Sequence, residues 1–545
     1  PTKIRSYSMR RAIFGYFVAT TIALAIAQSP LFAVDPISDS STIENAIDNF
    51  ITAELERAKR QPASQAAGET LVRRLTLDLV GRVPAPIETK QFIETDDPAK
   101  REKLVDQLVS SPEFVDYMTD RFDVMLMAET KASLRDYLKV AFQENRSWDQ
   151  VFRDLLVPNQ EDENQKAARE FVRRRANDPD KLTVDVSSLF FGVNVSCSKC
   201  HDHPEVDDWS QDHFYGMKSF FNRTFENGDF FAEREYGLVK YTTTAGEERE
   251  AKLMFLTGKI LDEPEYKEPT KDEQKKDDER FKKLAEKKQP PPAPKYSRRA
   301  RLIEIALQND QNQFFARSIV NRLWYQFYGH GLVMPLDQMH SENPPSHPAL
   351  LDWLARDLVA HKYDLRRLVR GMVLSQTYSR SSLWESADPP SKSMFAVAIP
   401  RALTPLQYAR SLRLATNDPQ SFEGIASSEE LQKRIMSSAS AGNTSNFQQP
   451  NEDFQIAVQE SLYFSNSAEV QQSYLNSGLF NRLKGMTDRN EIVKTAVWSI
   501  FTRPPTAEET GILSKYLAVR EDRHEEACRQ LIWALLTSTE FRFNY

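Results

Sequence analysis

The sequence predicts a mainly α fold: two helical domains joined through a small β-hairpin or sheet and a charged, proline-rich linker. Three observations carry this. Apolar residues recur at helical spacing through residues 34–229 and again through 299–545. Residues 230–260 shift to β-branched and aromatic content broken by a glycine turn. Residues 261–298 are acidic, rich in lysine and proline, and poor in apolar side chains. A chain of 545 residues also exceeds one ordinary core.

The N-terminus reads as a targeting segment. Met9-Arg10-Arg11 precedes an apolar run from Ala12 to Ala27, and small residues follow up to Ala33. A basic n-region, an h-region and a small cleavage residue predict a signal peptide over 1–33. The run is short for a membrane span and is interrupted by Thr20 and Thr21, which disfavours an uncleaved anchor. The expectation is an exported protein, periplasmic or extracellular, without a transmembrane span in the mature chain. Net charge is −7 and the sequence holds only Cys197, Cys200 and Cys528. No basic domain or basic-aromatic stripe points to nucleic acid. The fold must rest on burial rather than a disulfide framework.

The helices follow in order. Ile43, Ala46, Ile47, Phe50, Ile51 and Leu55 mark one over Ser41–Arg60. Thr70–Leu79 is the next, with Arg73 and Arg74 assigned to its polar side, and Gly81 followed by Pro84 and Pro86 ends it. A short helix covers Ile87–Ile93. Asp97-Pro98 caps one carrying Leu104, Val105 and Leu108, and Ser111-Pro112-Glu113 opens another through Met118 and Phe122. Ser133–Asn145 and Ser147–Leu156 follow, the latter N-capped by Ser147. Residues 159–166 read as a loop. Leu182–Phe191 is an apolar helix, and Trp209, His213, Phe214, Tyr215, Met217 and Phe220 mark an aromatic one.

Tyr236–Thr244 and Ala251–Leu256 read as strands around an Ala245-Gly246-Glu247 turn. Beyond the linker, helices are predicted over Arg299–Leu307, Asn312–Phe327, Ala349–Val359 with Ser346 as cap, and Leu365–Ser375. Ser437–Gln449 reads as a mobile loop. Asn451–Ser461, Ala468–Leu475 and Glu491–Phe501 are helical. Thr506 and Glu509 form a capping box before two final helices.

One stretch carries chemistry: Cys197-Ser198-Lys199-Cys200-His201, followed by Asp202-His203-Pro204. C-x-x-C-H is the spacing of c-type haem attachment, in which each thiol adds to one porphyrin vinyl group and the adjacent imidazole reaches iron. On that reading Cys197 and Cys200 form thioethers to haem c and His201 is the proximal iron ligand. Axial ligation and burial would set the potential. His213, Met217 and His347 are candidates for a sixth ligand, each equally explained by packing or capping. His203 lies too close in sequence to reach the opposite face of the same iron.

Two other readings stay open. Cys197, Cys200, His201 and His203 together offer zinc four ligands, although structural zinc sites usually join two separated pairs and no second C-x-x-C exists. Cys197 and Cys200 could also form a redox or structural dithiol. Asp202, Asp207, Asp208 and Asp212 read as a hydrated acidic loop. No G-x-S-x-G, Walker loop or H-E-x-x-H is present, so the pattern names a cofactor and no substrate.

Further stretches carry a resemblance: Leu71-Val72-Arg73-Arg74-Leu75-Thr76-Leu77-Asp78-Leu79, Cys197 to Pro204, Arg317-Ser318-Ile319-Val320-Asn321-Arg322-Leu323-Trp324, and Pro345-Ser346-His347-Pro348 running on to Ala355. With Ser538-Thr539-Glu540-Phe541, these make nearly the whole mature chain similar to exported planctomycete-type proteins. Those proteins pair a cytochrome-c-associated N-terminal domain with a C-terminal partner domain of unknown function. The resemblance implies a haem-like motif without a settled role. Family members usually carry an aromatic residue after His-Pro, where Glu205-Val206 stands here. Some carry a separate cytochrome domain upstream, so the expected electron partner here is another protein. The alternative is a non-catalytic scaffold or polymer- or partner-binding protein whose Cys/His cluster is a structural zinc or dithiol site.

Overall fold

In the computed structural model, the described residues are 38, 40–127, 130–202, 206, 208–308, 313–425, 427–440, 444–450 and 455–545. The predicted signal segment 1–33 lies outside them, as do His203, Pro204, Glu205 and Asp207. The rest is mainly α, with twenty-four α-helices and three two-stranded antiparallel sheets among the described residues. None of these helices is long and apolar enough to cross a membrane.

The helix Gly68–Val80 shows why the two halves pack as they do. Leu71 to Val80 are all buried, and Gly81 closes the helix in the left-handed region at φ 74°. Arg73 and Arg74, expected on a polar side, are 1% and 2% exposed. They face the far end of the chain. Arg73 donates to the carbonyls of Glu540 and Phe541, and Arg74 to those of Tyr545, Tyr378 and Arg380. Asp78 pairs with Arg401 at 2.8 Å. One turn on, Arg82 lies between Glu88 and Glu113, 2.7 Å from each. The helix period is right, but its polar stripe meets protein instead of water.

The cores are shared in the same way. Phe315, from the C-terminal half, packs among Trp148, Phe152 and Phe190. Leu77, Val83 and Ala85, from the N-terminal half, belong to the cluster built around Leu412, Leu479, Val493, Ile532 and Phe541. The last residues close the structure, since Phe543–Asn544 pair with Arg401–Ala402.

Several local expectations need correction. The β region starts earlier than predicted, with Thr224–Asn227 pairing with Phe230–Glu233 around Gly228. The second hairpin joins Lys240–Thr242 to Glu248–Glu250. Ala251–Leu256 is not a strand, because the Thr257-Gly258 turn folds the chain back and leaves only a Met254–Ile260 bridge. The region expected as linker contains the helix Lys271–Glu286, capped by a Thr270/Glu273 box. Phe281, its buried anchor, meets Phe225 edge-on at 5.0 Å. Residues 159–166 include a 3₁₀ turn at Glu163–Gln165.

The residue capping Pro348–Ala360 is His347, not Ser346, whose N–H instead donates to the Leu332 carbonyl. Ser437 and Ser438 complete the helix Ser428–Ser438, and the described residues from 439 to 450 form the expected loop, anchored by Phe447, which is buried against Tyr408 and Tyr463. The helix expected from Asn451 is Val458–Asn466, and residues 451–454 lie outside the described set. The Thr506/Glu509 capping box is present as predicted.

Candidate functional site

The Cys loop follows the helix Pro179–Phe191, which stops at Gly192 with φ 67°. Gly192 is required by both its backbone and its surroundings, since a Cβ there would meet the Met339 sulfur at 3.0 Å. Arg322, half-buried, donates to the Ser188 and Leu189 carbonyls and so satisfies carbonyls at the end of this helix. The chain then pairs with residues 337–339: Met339 N–H donates to the Gly192 carbonyl, and Asn194 N–H to that of Asp337. The C-terminal half therefore holds the stem of the loop.

Cys197–Lys199 form one 3₁₀ turn, closed by Cys200 N–H donating to the Cys197 carbonyl. Its interior is Ser198, fully buried, with Oγ donating to the Trp209 carbonyl at 3.2 Å. With Ser198 turned inward, Cys197 and Cys200 are turned outward; both are exposed and unbridged. The turn is pinned from the helix Gln211–Ser219. Tyr215 OH donates to the Lys199 carbonyl at 3.1 Å, and Gln211 Nε2 to the Cys200 carbonyl at 3.3 Å. Lys199 and Lys218 both reach Asp180, at 2.8 and 2.7 Å. Burial opposes the charged form of Asp180, but the hydrogen bonds from these two lysines outweigh it and hold the carboxyl below its ordinary value.

His201 is exposed, and its Nδ1 lies 2.7 Å from the Asp202 carbonyl. A carbonyl can only accept, so Nδ1 carries a hydrogen, and in the neutral ring Nε2 is the nitrogen with the lone pair. The Asp202 carboxylate accepts from Gln211 N–H at 2.9 Å, which fixes the residue carrying that carbonyl. Two outward thiols beside an imidazole oriented through Nδ1 form a donor set that fits covalent haem attachment with Nε2 as iron ligand. Among the described residues no three Cys, His, Asp or Glu side chains converge on a metal-sized point. The fourth zinc candidate, His203, lies outside those residues.

The proposed sixth ligands have structural duties. His213 Nδ1 accepts from Ser210 N–H at 3.2 Å in a capping arrangement, and burial lowers its pKa. Met217 is fully buried. His347 occupies the N-cap position of Pro348–Ala360 without a side-chain capping bond; its Nδ1 lies 3.1 Å from Ser346 Oγ and its ring packs 5.6 Å from that of Phe395. The acidic residues also divide. Asp202 serves Gln211, Asp208 accepts from Ser341, and Asp212 accepts from Tyr241 and Arg249.

Sequence reading missed the residues that hold the turn, chiefly Asp180, Gln211 and Tyr215. Tyr215 stacks on Tyr241 at 4.0 Å, which sets the direction of its hydroxyl. For Gln211 and Tyr215 the signal in the sequence was the mixture of polar residues among the aromatics of the helix Gln211–Ser219; Asp180, on the helix Pro179–Phe191, had none.

Residues 46–226, which include the Cys loop, match PSCyt2, a protein of unknown function (DUF1549). Residues 298–517 match PSD1, a protein of unknown function (DUF1553). Neither a curated protein nor a solved structure matches the chain.

Proposed function

Because the chain belongs to the planctomycete-type family that couples these two domains of unknown function, we propose that it is an exported c-type haem protein. It acts in electron transfer or redox chemistry through one haem attached at Cys197 and Cys200, with a separate redox protein as partner. The observation that carries this reading is the His201 geometry: Nδ1 is held by the Asp202 carbonyl at 2.7 Å, which leaves Nε2 as the free donor atom of an exposed ring that follows two exposed thiols in sequence. Each thiol would add its S–H across one vinyl double bond, sulfur to one carbon and hydrogen to the other, with no net oxidation. The bound group supplies a one-electron iron couple. Ser198, Gln211 and Tyr215 keep the turn in place, and the Asp180–Lys199 pair keeps the lysine side chain on the flank of the loop.

The alternative, a scaffold or binding protein with a zinc or dithiol site, draws on the same two thiols standing in one turn. A pyridine haemochrome spectrum on protein matured in a cytochrome-c-competent host separates the two. A bis-thioether spectrum that becomes a single-thioether spectrum in Cys197→Ala supports attachment. Stoichiometric zinc with no haemochrome refutes it and promotes the rival.

A further inference from the structure

A single residue brackets His201. Gln211 opens the helix Gln211–Ser219, so its N–H has no partner within the helix, and the Asp202 carboxylate accepts it at 2.9 Å. The Gln211 side chain turns to the other neighbour of His201. Its Nε2 donates to the Cys200 carbonyl at 3.3 Å and to the Lys199 carbonyl at 3.5 Å. The main chain of Gln211 therefore holds the residue after His201, and its amide holds the residue before.

The far end of that amide is anchored in the β-hairpin. Gln211 Oε1 accepts from Thr244 N–H at 3.1 Å. A backbone N–H can only donate, so this bond settles which way the amide faces and commits Nε2 to the Cys loop. Gln211 is 6% exposed, so water does not readily replace these bonds. The hairpin is tied to the same helix a second time, since Tyr241 and Arg249 both donate to the Asp212 carboxylate.

The consequence falls on the imidazole. In water a neutral histidine carries its hydrogen mostly on Nε2, which leaves the lone pair on Nδ1. The Asp202 carbonyl, 2.7 Å from Nδ1, reverses that choice. It does so only while residues 200 and 202 keep their places on either side of the ring.

We propose that Gln211 is the positioning residue for His201. It keeps the ring hydrogen on Nδ1 and so leaves Nε2 available to a metal, and the hairpin keeps Gln211 in register through Thr244. The use of Nε2 as an iron ligand rests on the haem reading above; the tautomer does not.

The test is long-range proton–nitrogen NMR of the haem-free full chain, with isotope-labelled histidine in alkaline buffer and His201 assigned from its loss in His201→Asn. The wild-type ring is expected to carry its hydrogen on Nδ1. Gln211→Glu keeps the side-chain shape and the acceptor for Thr244 but loses the donor to Cys200. The Nδ1–H population is expected to fall at least twofold in this variant, with an unchanged melting temperature. If that variant melts early, Asp202→Ala, at an exposed position, decides, with the same loss expected. A purely structural role changes stability without moving the tautomer. Wild-type nitrogen shifts in the deciding variant, or a wild-type ring protonated on Nε2, would therefore overturn the proposal. Haem is scored separately by the haemochrome spectrum: absent haem with the expected tautomer change refutes the haem reading and leaves the positioning role standing.

Discussion

Replacing His347 by Asn should remove a specific part of the acid sensitivity of this protein. The His347 ring is 6% exposed and its Nε2 is buried without a hydrogen-bond partner. Burial, helped by the charge of Arg57, pushes its pKa from 6.5 to about 4. A histidine whose folded pKa is depressed stays neutral in the fold while the unfolded chain takes up a proton. Its contribution is therefore complete above pH 6.5 and is lost as pH falls towards 4; below that value it is flat. Each pH unit in that window is worth about 1.4 kcal/mol, so the window spans about 3 kcal/mol. Asn retains a residue suited to the N-cap of Pro348–Ala360 and does not titrate. Urea unfolding of both proteins at pH 7, 5.5 and 4 gives two stability curves. The wild-type advantage over His347→Asn should shrink by about 3 kcal/mol between pH 7 and pH 4. Parallel curves would refute the reasoning, because carboxylates titrating in the same range affect both proteins alike.

Other substitutions test the packing between the two halves. Asp78→Asn leaves Arg401 without its buried carboxylate and should lower unfolding free energy by about 3–5 kcal/mol in urea titrations. Gly81→Ala places a Cβ 2.3 Å from the Tyr117 ring at φ 74°, and thermal unfolding should register a loss of about 3 kcal/mol. Phe281→Ala should release the helix Lys271–Glu286 from Phe225 at a cost of about 3 kcal/mol. Hydrogen exchange in that variant should rise over residues 271–286 and stay unchanged in the helix Gly68–Val80.

The same residues show what was legible in the sequence. Helical periodicity and punctuation act within a few residues, so Gly81, the Thr506/Glu509 box and the helix Gln313–Tyr328 stand near their predicted places. The direction a polar residue faces depends on partners far away in sequence. Arg74 looks like a surface residue until the carbonyls of Tyr378, Arg380 and Tyr545 arrive to accept its hydrogen bonds. Lys271–Glu286 was hidden for the opposite reason. Its charge concealed a single anchor, Phe281, although Thr270 and Glu273 already spelled a capping box.

At the Cys loop the donor types were readable from five adjacent residues. Their presentation was not, because it comes from Ser198 turning inward and from Gln211 and Tyr215 holding the turn.

Haem attachment at Cys197 and Cys200 is tested most directly by acid–acetone extraction of protein matured in a cytochrome-c-competent host. The account predicts that the Soret absorbance stays with the precipitated polypeptide, and that it is lost from the pellet when Cys197 and Cys200 are both replaced by Ala. Colour that passes wholly into the acetone, or a colourless protein with unmodified thiols at both positions, would contradict it.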